Sequence, residues 1–238
     1  MSREYLDFHG ELAEVRKNIY QFLASVFLEK PTQELVETLV ADDTIDVLSE
    51  IFSEASISHL REFCREYSGD ITMLQVEYTA LMVAPFGAYV TPYESAYRGG
   101  REIDGRKSRG LLMGQPALEV KRTIRKAGGE IDRTSHRLPD HIGLELQAMQ
   151  FLCEQEARAW AADQPELALK YVRFQEDFVR DHLSVWVPDL AARIMENAAS
   201  GFFKGIACMT RELIATEMNT FDCASPGSFR GIGIGNTF

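Results

Sequence analysis

The segment HRLPDHIGLE, His136–Glu145, gathers two histidines, an aspartate and a glutamate within ten residues. Two metal ligands on one helix must stand three or four residues apart to share a face. His141 and Glu145 meet that spacing, but His136 is five residues before His141 and across Pro139. A hydrogen bond between His141 and Glu145 is the plainer use of the pair, and a metal site is not expected. Asp140 and His141 are neighbours, so on a helix their side chains diverge by about 100° and form no acid–base relay. No Gly-x-Ser-x-Gly elbow or base-paired nucleophile occurs, so no catalytic residue is assigned. The run GREIDGRKS, Gly100–Ser108, has one residue too many for a phosphate loop and no strand before it. The terminal glycines Gly231, Gly233 and Gly235 lack the same setting. The simplest role for Pro139-Asp140-His141 is to start a helix. Pro139 tolerates the first turn, and Asp140 accepts from its free amides. His141 would then be neutral or paired with Glu145, because a cation is disfavoured there.

These residues need elements to hold them, and the chain supplies helices. It has 238 residues, 45% apolar and 26% charged, with no run near the roughly 18 apolar residues of a membrane span. The N-terminus lacks the apolar core of an export signal, so a cytoplasmic protein is expected, without membrane insertion. The formal charge of −11 disfavours nucleic acid and suits basic peptides. Cys64, Cys153, Cys208 and Cys223 are widely spaced, which argues against a zinc or disulfide framework.

Leu12 to Phe27 repeat at three- and four-residue steps and predict a helix of about five turns. Short helices follow around Leu35–Leu39, Val47–Phe52 and Ile57–Tyr67. The next, capped by Asp70, carries Ile71, Leu74, Tyr78, Leu81 and Met82 on its inner face. The stretch Ala84–Gly110 holds two prolines and five glycines without a helical period, giving a long central loop over 84–115. Helices resume from Pro116 to a Gly128-Gly129 stop, from Ile142 to about Trp160, and from Leu167 to Phe178. Trp186 and Pro188 mark a break before one or two closing helices. The expectation is an all-α helical bundle of about 9–11 helices, one domain over 1–220, with a flexible tail at 221–238.

Four stretches together resemble the TorD/DmsD/NarJ family of redox-enzyme maturation chaperones, over about residues 12–216. They are VRKNIYQFLASVFLEKPTQELVETL, EYTALMVAPFGAYVTPYESAYRGG, GQPALEVKRTIRKAGGEID followed by LPDHIGLELQAMQFL, and FVRDHLSVWVPDLAARIMENAASGFFKGIACMTREL. The resemblance implies a chaperone without enzymatic activity. Its partner would be the catalytic subunit of a molybdopterin oxidoreductase, bound through a twin-arginine signal peptide before cofactor insertion and export. It implies a peptide-binding region at Tyr78, Leu81, Met82, Pro92, Tyr93, Glu94, Ser95 and Tyr97, with Pro139, Asp140, His141 and Glu145. No cofactor is implied beyond weak guanine nucleotide binding, and the protein would be a monomer or homodimer.

Micromolar affinity requires roughly 8 kcal/mol net. Exposed ion pairs contribute about 0–1 kcal/mol each and buried apolar side chains about 1.5–3. Affinity is therefore expected from a groove lined by Tyr78, Leu81, Met82, Tyr93 and Tyr97, with Asp140 and Glu94 selecting arginine. On this expectation Asp140→Ala weakens peptide binding and spares stability. Two alternatives stand beside it. One is a NarJ-like assembly factor for a membrane-anchored molybdoenzyme. The other is a nucleotide- or metal-binding switch using the 100–110 loop, Asp140 and His141.

Overall fold

Helix α8 (Ile142–Ala161) buries residues on every side, among them Ile142, Leu144, Leu146, Met149, Leu152 and Cys153, which makes it the hub of the bundle. The computed structural model describes residues 2–41, 43–98, 102–103, 106–107, 114–130 and 136–223. Before the hub come α1 (Arg3–Leu28), α2 (Gln33–Val40), α3 (Thr44–Ile51), α4 (Glu54–Glu66) and α5 (Thr72–Tyr78). A π turn at Thr79–Val83 extends α5, and α6 (Glu94–Arg98) and α7 (Gln115–Lys126) follow. After the hub lie α9 (Pro165–Phe178), a second π turn (Val179–Leu183), α10 (Ser184–Asn197) and α11 (Gly201–Cys223). Two-residue strands β1 (Glu102–Ile103) and β2 (Arg106–Lys107) pair antiparallel. The architecture is all-α, as the periodicity predicts.

Helix α1 lies along α8, α9 packs on α8, and α11 joins α4 and α10. The α1 face of Tyr20, Leu23, Ala24 and Phe27 enters the core with Trp186, Phe202 and Phe203 from the C-terminal helices. Gly143 permits a close approach of the end of α1 to α8, because a Cβ there would lie 2.5 Å from Leu28 Cγ. A buried polar seam ties four helices. Arg16 donates to Glu217 (2.7 Å) and Glu156 (3.2 Å), while Gln175 and Trp160 also donate to Glu156. Each charge in the seam has a partner, as buried ionic groups require.

Local details depart from the sequence reading. Helix α1 begins at Arg3, capped by Ser2, well before the first apolar repeat. The expected central loop contains α6 and the β1–β2 pair. Pro188 does not break the chain. It lies inside α10 one residue past the first turn, is exposed, and removes only the ladder bond to Ser184. Phe221, expected in the tail, is on α11 and packs partly against the core, whereas 224–238, including the terminal glycines, lie outside the described residues. Most of Gly100–Ser108 also lies outside them. Among the described residues no helix is long and apolar enough to cross a membrane.

Candidate functional site

The segments Pro92–Arg98 and Leu138–Glu145 are joined backbone to backbone. Tyr93 and His141 form an antiparallel bridge, with Ile142 N donating to Pro92 O and Glu94 N to Asp140 O, both at 2.9 Å. Ser95 N donates to Asp140 Oδ2 at 2.9 Å. Asp140 thus caps α6, not the helix that follows it in sequence. The cap of α8 is His141, whose Nδ1 accepts from Gly143 N at 3.1 Å. An accepting Nδ1 is an unprotonated one. Burial, and then the charge of Arg137, push the His141 imidazole down to about 3.

Behind this junction three carboxyls, Glu94, Asp140 and Glu145, are wholly buried. Glu94 accepts from Arg98 and meets His182 Nδ1 at 3.0 Å. Burial raises the Glu94 carboxyl, but the hydrogen bonds and charges of His182 and Arg98 outweigh it and hold the group below its ordinary range. Burial and the neighbouring Glu94 charge drive Glu145 well upward, so it keeps its proton. A protonated Glu145 donates to Glu94, and its Oε2 accepts from Trp186 Nε1 at 3.0 Å. Two buried carboxyls beside each other disfavour double ionisation, and burial directs the shared proton to Glu145.

The twelve residues carried over from the resemblance therefore meet, but mostly as scaffold. Tyr78, Leu81 and Met82 belong to the core, with Tyr78 Oη donating to Phe27 O at 3.1 Å, so they line no groove. Pro92, Glu94, Ser95, Asp140, His141 and Glu145 are buried in the junction, while Tyr93, Tyr97 and Pro139 are half-buried. Asp140 and Glu94 cannot meet an incoming arginine from 0% exposure, which corrects the expectation that they select arginine. The expected His141–Glu145 side-chain pair is replaced by the Gly143 and Trp186 contacts. Among the described residues no group of three or more His, Cys, Asp or Glu is placed to hold a metal.

Two surfaces escaped the sequence reading. Met73, Val76 and Val83 repeat along the outer side of α5 and its π turn at 73%, 56% and 56% exposure, and Phe86 follows at 76%. The loop that follows is tied back to this segment, since Val90 N donates to Leu81 O at 2.8 Å. The second surface is a polar cleft of about 360 Å³ between α7 and the second π turn.

The family model described as "Nitrate reductase delta subunit" matches residues 48–192, which include both halves of the junction. The chain belongs to this family, the TorD/NarJ family. A chaperone protein TorD of Vibrio cholerae serotype O1 is 25% identical over 219 residues, covering 89% of this chain and 94% of its own. A chaperone protein TorD of Aeromonas salmonicida is 26% identical, covering 91% and 95%. A perchlorate reductase assembly chaperone protein of Dechloromonas aromatica is 26% identical over 167 residues, covering 70% and 67%. The family expected from the four sequence stretches is the family found, and its named members are chaperones, not enzymes.

Proposed function

We propose that this family member is a cytoplasmic maturation chaperone that holds the apo form of a molybdopterin oxidoreductase through its twin-arginine leader until the cofactor is inserted. It performs no catalysis. The family match across both halves of the junction carries this reading, and similarity over nearly the whole length of TorD chaperones supports it.

A leader of this kind offers two arginines and an apolar segment. The exposed face of Met73, Val76, Val83 and Phe86 is the bed for the apolar segment. Four such side chains at about 1.5–3 kcal/mol each bring the roughly 8 kcal/mol of micromolar binding within reach, against ordering costs. The arginines are drawn in by the formal charge of −11, which raises the association rate and disfavours acidic segments. The buried junction acts by position: it anchors α6, where the loop that follows the docking surface ends.

The family description favours a second reading, a NarJ-like assembly factor for a membrane-anchored molybdoenzyme, in which binding does not depend on an arginine pair. Calorimetric titration with synthetic leaders separates the two. The first reading expects micromolar binding that weakens about tenfold when both arginines become glutamine. Equal binding of both peptides favours the second. No binding of any leader, with no co-purifying oxidoreductase, rejects both.

A further inference from the structure

Half of the eight residues of α3 are aliphatic, yet Ile45, Val47, Leu48 and Ile51 all stay short of full burial. Ile45 and Leu48 pack in part against the core, and α3 rests on α2 and α4. Val47 and Ile51, one turn apart, are 55% and 43% exposed. A helix with apolar residues on two sides is ordinarily covered on both.

The charges on this face are equally unanswered. Asp43, Asp46 and Glu50 are exposed, at steps of three and four that set like charges one turn apart. None has an ion-pair partner among the described residues, and Arg61 of α4 turns to Ser49 and Glu54 instead. Asp46 suits the first turn of α3. Glu50 stands in the last turn, where the helix dipole favours a cation and α3 has none. The imbalance is local. Residues 33–66 hold nine acids against two arginines, which is most of the formal charge of −11.

Uncovered aliphatic surface and unopposed like charge both act against the isolated helix, and one kind of partner relieves both. We infer that the outer face of α3 docks a cationic amphipathic segment of another protein. Its aliphatic side chains meet Val47 and Ile51, and its lysines or arginines meet Asp46 and Glu50. The apolar contact holds the segment, while the acids speed its approach and select it. The same acids repel nucleic acid and the α3 face of a second copy. This surface is on a different element from the α5 face assigned to the leader, and it does not depend on that assignment.

The test is calorimetric titration of the full chain with a synthetic lysine–leucine peptide whose leucines recur at helical steps. A scrambled peptide of the same composition is the control. Val47→Gln with Ile51→Gln removes the apolar contact, and Asp46→Asn with Glu50→Gln removes the charge. Glu4→Gln with Glu11→Gln makes the same charge change at exposed positions of α1. The expected result is one saturable site, weakened about fivefold or more by each α3 pair and less than about twofold by the α1 pair. Raising the salt is expected to erase the effect of the charge pair and to spare that of the apolar pair. Equal weakening by the α1 pair, equal binding of the scrambled peptide, or displacement of the peptide by a twin-arginine leader would overturn the inference.

Discussion

The Asp140 carboxylate accepts the Ser95 amide at 2.9 Å across 45 positions of sequence, so the shortest helix of the bundle is capped by a residue it does not contain. Helices of five residues are not self-supporting, since nucleation costs more than one turn of bonds returns. The cap and the paired backbone of the junction supply what α6 lacks.

Removing this carboxylate therefore acts on stability. Asp140→Ala is expected to cost about 1–2 kcal/mol, the range of a lost helix cap. Asp140→Asn keeps an accepting oxygen and is expected to cost under about half of that. Urea denaturation of the three proteins measures the order. An Asp140→Ala protein as stable as the parent would contradict the capping role.

His141 gives the junction a pH dependence. An ordinary imidazole titrates near 6.5, while the folded one does so at about 3, because burial and Arg137 oppose its protonation. The unfolded chain thus gains a proton first. The stability His141 contributes is complete above pH 6.5 and is lost as pH falls through that window, at up to about 1.4 kcal/mol per pH unit. Asn at 141 still accepts from Gly143 N and does not titrate. His141→Asn is expected to flatten the stability curve between pH 6.5 and 4.5, above the range where carboxylates add their own losses. Parallel curves for variant and parent would refute this.

Glu145 works in the opposite sense. Its folded pKa is raised, so its contribution is present below the ordinary carboxyl range and is lost as pH rises toward the folded value. Glutamine mimics the protonated acid, accepting from Trp186 and donating to Glu94. Glu145→Gln is expected to match or exceed parental stability at pH 8 and to lose its advantage at pH 5. Glu145→Ala strands the Trp186 indole N–H and leaves a void, costing about 2–4 kcal/mol. Thermal melts across pH distinguish the two variants.

Two glycines should respond with opposite signs. A Cβ on Gly201 would lie 2.4 Å from the His59 carbonyl oxygen, so α4 and α11 must separate. Gly201→Ala is expected to destabilise by about 1–3 kcal/mol. A Cβ on Gly10, inside α1, would meet Trp160 Cβ at an ordinary 3.6 Å. Gly10→Ala is expected to stabilise by about 0.5–1 kcal/mol through helix propensity. Denaturation midpoints measured side by side check both.

Helix existence was legible because apolar residues recur at helical steps from Leu12 to Ile214. Helix α6 was not, because a five-residue helix has no period and its cap is remote. The pattern Leu74, Tyr78, Leu81 identifies residues on one face, yet spacing alone does not say whether that face meets a core or a cleft. Here it meets the core, and the outer face of Met73, Val76 and Val83 is the exposed one. The polar cleft combines Arg98, Arg122 and Arg180 from distant segments, so no local run of sequence announces it. Pro139-Asp140-His141 reads as punctuation in the sequence, and punctuation is its role, with the cap of α8 passing from Asp140 to His141 while Asp140 caps α6.

The most direct measurement compares leader-peptide affinity in two variants. Val76→Asp with Val83→Asp places charge on the exposed apolar face, and Asp140→Asn neutralises the buried carboxylate while keeping its cap. A docking face on α5 predicts at least tenfold weaker binding in the first variant and an unchanged Kd in the second. Unchanged binding in the first, with a large loss in the second, would contradict it.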